Sequence, residues 1–269
     1  MDIKIINDEN LGKGFNWKKF FLIICCTLLF FCCFIVYSRY KATSGLKINE
    51  YKITDSSLPS NFHGVKVVHF SDVFFGNTVN IKYFNSIISK INELNPDIVV
   101  FTGDFIDKDL DSELADSIVS SLSSINSNIG KYAIKGDSDN DLFLKLFNNG
   151  GFTILDNSSA EVYYKGDIPI LISNDDIYSD LYRILLIHKP DDIDNFSSSY
   201  NLALAGHSLN GQINIPFFKK LFLRDGCRKY YNGYYESKSL YVSSGIGTTN
   251  FKYRLNNRPS INLYRLTNY

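Results

Sequence analysis

Val99-Val-Phe-Thr-Gly103-Asp104 is an unbroken apolar run that stops at Gly-Asp, and the pattern recurs along the chain. Val67-Val-His-Phe-Ser-Asp72 ends in the same manner. So do Ala133-Ile-Lys-Gly136-Asp137-Ser-Asp139, Leu185-Leu-Ile-His188 and Leu202-Ala-Leu-Ala-Gly206-His207. Continuous runs rich in β-branched residues, here 65–70, 98–102, 132–135, 168–172, 184–187 and 202–205, predict strands of a sheet covered on both faces. Helical patterns lie between the first of them. Ile81, Phe84, Ile87, Ile88, Ile91 and Leu94 recur at three- and four-residue spacing, as do Leu114, Ile118, Leu122 and Ile125. Short strands at 239–243 and 261–266 complete an αβ domain. Five strands that each deliver Asp or His at the carboxyl end place those side chains in one crevice, where open α/β sheets bind ligands. Two imidazoles among several carboxylates suit a borderline dication such as Mn²⁺, Fe²⁺ or Zn²⁺. Glycine before Asp or His is expected to let the backbone turn sharply into the site.

The chain has 269 residues, with 28 basic residues against 28 acidic ones. That balance argues against a nucleic-acid partner, which usually demands a basic excess. A disulfide scaffold is excluded, because Cys25, Cys26, Cys32 and Cys33 all lie in one apolar run and only Cys227 lies elsewhere. That run, residues 20–37, is interrupted only by Thr27 and carries no charge. At about 1.5 Å per residue it is long enough to cross a bilayer, and too long for the core of a cleaved signal peptide. Lys18, Lys19, Arg39 and Lys41 flank it, with Trp17, Tyr37 and Tyr40 at interfacial positions. Residues 1–19 and 38–52 each hold four Lys or Arg, so the charge rule ties. A short tail before a large domain favours a single-pass protein of the cell membrane with its domain outside the cytoplasm. The expected organisation is a tail at 1–19, the membrane helix at 20–37, a connector at 38–60 containing a short alternating stretch, and one domain at 61–269.

The ordered blocks Asp72-Val-Phe74, Gly103-Asp104, Gly136-Asp-Ser-Asp139, His188 and Gly206-His-Ser-Leu209 resemble those of the calcineurin-like metallophosphoesterases, in particular their membrane-anchored or secreted bacterial branch. Gly211-Gln-Ile-Asn-Ile-Pro216, the stretch from Leu240 to Thr249, and Arg258-Pro259 extend the resemblance, which runs from about Lys47 to the end. It implies a four-layer α/β/β/α sandwich behind one transmembrane helix. It also implies metal ligands at Asp72, Asp104, Asp137, His188 and His207, and catalytic roles for Asp104, Asp139 and His188. The substrate class it implies is a phosphoester linked to lipid or cell wall, beside the bilayer itself as partner.

Departures from the family pattern fall on one side of the site. Phe74 and Leu209 stand where one metal position takes histidines, and Ser138 stands where a histidine assists the leaving group. Asp104, Asp137, His188 and His207 keep the other position. One divalent metal per chain is therefore expected, Mn, Fe or Zn. Two readings follow: a metal-dependent phosphoesterase with a mononuclear site, or a catalytically inactive binding or scaffold module on the same fold. His69 lies three residues before Asp72 on the opposite side of the strand, and His63 precedes the strand by a turn. Both are expected to be structural.

Overall fold

A computed structural model describes residues 15–106 and 108–269; most of the expected N-terminal tail lies outside them. Two compact units emerge, Met1–Tyr37 and Ser38–Tyr269. In the first, α1 (Trp17–Val36) buries no side chain. Asn16 opens it by accepting from the Lys19 N–H at 3.1 Å. Thr27, the polar interruption, spends its hydroxyl on the Ile23 carbonyl at 2.8 Å, so the helix shows no unsatisfied polar group there. Helical geometry runs over Trp17–Lys41, 25 residues, enough to cross a hydrocarbon layer of about 30 Å.

The second unit holds two six-stranded sheets. The strands in chain order are β1 (Lys47–Thr54), β2 (Lys66–Phe70), β3 (Ile98–Thr102), β4 (Gly130–Ile134), β5 (Thr153–Ile154), β6 (Ser159–Val162), β7 (Ile170–Ser173), β8 (Arg183–Ile187), β9 (Leu202–Ala205), β10 (Gly233–Tyr235), β11 (Leu240–Val242) and β12 (Ser260–Thr267). One sheet has the order β1-β12-β2-β3-β4-β5 and the other β10-β11-β9-β8-β7-β6. β2 through β5 run parallel, as do β7, β8, β9 and β11. The alternating stretch within the expected connector is β1, which pairs with the last strand along its whole length.

Continuous hydrophobicity in β2 and β3 has the reason expected of it. Val68, Phe70, Val99 and Phe101 face the helices α2 (Ile81–Glu93), α3 (Ser112–Ser123) and α4 (Asp141–Asn149), where Phe84, Ile118 and Phe147 meet them. Val67, Ile98 and Val100 face the other sheet and pack with Ile172, Ile184 and Leu204. The far side of the second sheet is covered by Ile193, in the 3-10 turn Pro190–Asn195, and by Tyr230. Each helix opens on a polar cap: Asn80, Asp111 and Asn140 accept from the N–H groups of Tyr83, Leu114 and Leu142. α4 has nine residues, too short for its Phe143, Leu146 and Phe147 to stand out as a periodic pattern.

Phe101 is the hub of the helix-facing core, with ring centroids 4.8 Å from both Phe70 and Phe147. Phe101→Ala is expected to cost about 3–5 kcal/mol, read as a lower denaturant midpoint of the detergent-solubilised chain.

Candidate metal centre

Both sheets contribute to one site at their carboxyl ends. Asp72, Asp104 and Asp137 follow β2, β3 and β4 of the first sheet; His188 and His207 follow β8 and β9 of the second. The turns that aim them are tight. Asp72, Asp104 and His207 themselves take left-handed backbone angles (φ 52°, 60° and 64°), which non-glycine residues rarely adopt and which cluster at functional sites. Of the glycines that precede them, only Gly103 has positive φ, at 88°. Gly136 and Gly206 are needed for close approach instead: a Cβ on Gly136 would lie 2.5 Å from Asp104 Oδ1, and one on Gly206 would lie 2.8 Å from the Thr102 carbonyl.

Asp104, His188 and His207 converge, with ligand atoms all within 4.8 Å of one another. His188 Nδ1–H donates to the Thr102 carbonyl at 2.8 Å, and His207 Nε2–H donates to the Asp225 carbonyl at 2.7 Å. With those nitrogens committed, His188 Nε2 and His207 Nδ1 face each other at 3.1 Å, and His188 Nε2 lies 3.3 Å from Asp104 Oδ2. Two lone pairs so close repel unless a cation lies between them. Burial alone would lower the His188 pKa, but the hydrogen bond and charge of Asp104 outweigh it and raise it to about 9. His207 is pushed down to about 4 by burial, then by the charges of Arg224 and His188. Metal-binding histidines usually have the far N–H fixed in this way, so the donor set fits a dication.

Around Asp72 the lining is different. Phe74 and Leu209 are buried apolar groups. Asp72 is buried, bound through Oδ2 by the Ser71 hydroxyl at 2.5 Å and the His207 N–H at 3.1 Å. Its Oδ1 has no partner among the described residues. Burial, then the charge of Asp104, pushes its carboxyl up to about 7. A cation is nevertheless present. The Arg224 guanidinium lies over the Phe74 ring at 5.7 Å and donates from Nη1 to Asp104 Oδ2 and the His207 carbonyl, each at 3.1 Å. Sequence reading missed Arg224, which belongs to no motif. The signal was there in the charges, since three carboxylates around one expected dication called for another positive group.

The remaining sequence-predicted residues divide. Asp137 sits at the rim, its Oδ2 3.9 Å from His207 Nδ1 and 2.9 Å from the Lys189 ammonium. The Ser138 N–H and hydroxyl both donate to Asp104 Oδ1, at 2.9 and 2.8 Å. Asp139 stands outside the converging ligand atoms. Its two oxygens accept the N–H groups of Asp104, Phe105, Ile106 and Gly136 at 2.8–3.1 Å, so it clamps the turn that presents Asp104. His69 is buried between Thr102 Oγ1 at 2.8 Å and Tyr264, and burial lowers its pKa to about 3. His63 stacks on Tyr269 at 4.6 Å, at the surface. Neither joins the site.

The family model for calcineurin-like phosphoesterases matches residues 65–240. The chain belongs to that family. It is 29% identical over 255 residues to the uncharacterized metallophosphoesterase YkuE of Bacillus subtilis (strain 168), covering 86% of this chain and 88% of that one. It is 27% identical over 261 residues to the transmembrane protein with metallophosphoesterase domain of Danio rerio, covering 84% of this chain and 58% of that protein. Over 99 residues it is 33% identical to the UDP-2,3-diacylglucosamine pyrophosphatase LpxG of Chlamydia muridarum (strain MoPn / Nigg), covering 35% and 30% of the two chains. An apolar helix at the N-terminus and relatives named as transmembrane proteins fit association with a membrane.

Asp139→Ala removes the acceptor of four N–H groups, three of them buried. Each one left bare costs roughly 1–3 kcal/mol. The variant is expected to melt well below the parent, and Asp139→Asn, which keeps one acceptor oxygen, to fall between them in a thermal melt.

Proposed function

We propose that the chain is a membrane-anchored, metal-dependent phosphoesterase that holds one dication on Asp104, His188 and His207, with Asp137 at its edge. The observation that carries this reading is the facing pair of imidazole nitrogens, each tautomer set by a backbone carbonyl. When bound, a dication there supplies Lewis acidity toward a phosphoryl oxygen and a water. Mn, Fe and Zn all suit the donors.

Arg224 does the work of the missing second cation. Its Nη1 is committed to the protein, while among the described residues Nε and Nη2 make no hydrogen bond, leaving one edge of the planar fork for a non-bridging phosphate oxygen. One dication and Arg224 together balance the formal charges of Asp72, Asp104 and Asp137, and Lys189 adds one positive charge at the rim. A phosphodiester anion thus meets a field that no longer opposes it. Asp104 orients His188 and Arg224, Ser138 holds Asp104, and Asp139 positions the whole turn.

The alternative, an inactive binding module, is favoured by one observation: Phe74, Leu209 and Arg224 fill the half-site on which a two-metal clamp depends. Hydrolysis of an aryl phosphodiester with added Mn²⁺ separates the two. The purified chain is expected to bind one ion and to hydrolyse the ester. His188→Ala and His207→Ala are expected to lose the ion. Arg224→Met is expected to keep the ion in elemental analysis while kcat/KM falls about 10²–10³-fold. Absence of hydrolysis in the metal-loaded parent would establish the binding module, and two ions per chain would overturn the mononuclear reading.

Residues 20–37 form the single-pass anchor in this reading, and the body beyond it, which already includes β1 (Lys47–Thr54) of the expected connector, lies outside the cytoplasm. The full-length chain is expected to remain in the membrane pellet after alkaline carbonate, and protease added to intact cells is expected to digest the domain. Release by carbonate would contradict the anchor, and protection in intact cells would reverse the orientation.

A further inference from the structure

Next to Arg224 the chain exposes an unusual surface. In residues 215–222, Ile-Pro-Phe-Phe-Lys-Lys-Leu-Phe, the side chains of Phe217, Phe218 and Leu221 are 102%, 58% and 76% exposed, and Phe222 is exposed beside them. Phe217 is held at φ 68°, a costly conformation for a bulky residue that gains no burial in return. Lys219 and Lys220 interrupt the apolar residues. Phe251, also exposed, joins Phe222 and Leu209 around a pocket of about 220 Å³ that Arg224 lines.

The segment that follows Phe251 meets Ser38, where the body begins. The Arg254 N–H donates to the Ser38 carbonyl at 3.1 Å, three residues beyond Phe251. Gln212 ties these pieces together, donating to the carbonyls of Phe251 and Tyr253 and accepting from the Thr249 N–H. Ser38 lies near the end of the helical stretch Trp17–Lys41. A membrane anchor at residues 20–37 would end at the headgroups, and Ser38 follows it directly in the chain, so the anchor tethers the body that carries the aromatic loop to that surface. Apolar rings interleaved with lysines match the layered chemistry of an anionic membrane surface, acyl chains below and phosphates above.

We propose that residues 216–222 with Phe251 form a docking loop that inserts into the interface of an anionic bilayer and holds the Arg224 pocket at the level of lipid phosphates. This deepens the phosphoesterase reading, because a substrate phosphoester carried by a membrane lipid would reach Arg224 without leaving the bilayer. Docking itself requires neither metal nor turnover.

The test uses the single tryptophan of the chain, Trp17. In full-length protein carrying Trp17→Phe and Phe217→Trp, reconstituted into phosphatidylcholine–phosphatidylglycerol vesicles, brominated acyl chains should quench residue 217 about twofold or more. The same background with Tyr178→Trp should be unquenched. Tyr178 is exposed and follows Ile177, whose carbonyl is held by Arg183 at the end of β8 opposite His188. Adding Lys219→Glu and Lys220→Glu should remove most of the quenching. An unquenched residue 217 that soluble iodide reaches as readily as residue 178 would overturn the proposal. Protection from iodide without bromolipid quenching would overturn it too, assigning the loop to a protein contact. Because the readout is indifferent to hydrolysis, an inactive but docked protein would leave this inference standing while sinking the phosphoesterase reading.

Discussion

The hydrogen bond from His188 Nδ1–H to the Thr102 carbonyl joins the two sheets where the chemistry lies. It spends the donor of an imidazole from the second sheet on the last residue of a strand in the first. That fixes the ring, selects the tautomer and turns Nε2 toward Asp104 and His207. A second link, from the His207 N–H to Asp72, repeats the connection one strand over. The strand ends can approach this closely because Gly103, Gly136 and Gly206 carry no side chain there. Left-handed turns at Asp72, Asp104 and His207 are the local cost of bringing donors from two sheets together, and the packed cores on both sides hold that cost in place.

The grouping of Phe74, Leu209 and Arg224 beside Asp72 and Asp104 is coherent as physical chemistry. Asp72 and Asp104 are two buried carboxylates whose charges oppose each other. Two responses are visible: the Asp72 carboxyl shifts up toward neutrality, and a guanidinium arrives to bind Asp104. Phe74 offers that guanidinium a ring face. Phe74, Leu209 and Arg224 therefore act together, and histidines introduced at positions 74 and 209 would compete with Arg224 for Asp104.

Much of this was legible in the sequence. The strand ends, the convergence of Asp104, His188 and His207, and the structural character of His69 and His63 all follow from unbroken apolar runs, punctuation and pleat alternation. The rest depends on contacts between distant segments. Arg224 comes from an aperiodic loop, and the carbonyl partners of the two histidines carry no side-chain signature. The four backbone donors that meet Asp139 carry no side-chain signature either. β1 reads as connector because only β12, more than two hundred residues on, makes it a strand.

Anomalous diffraction from Mn²⁺-loaded crystals of the protein tests the central claim most directly, since it locates each ion. The account predicts one peak per chain, among Asp104, His188 and His207, with Arg224 still over Phe74. A second peak beside Asp72, with Arg224 displaced, would contradict it.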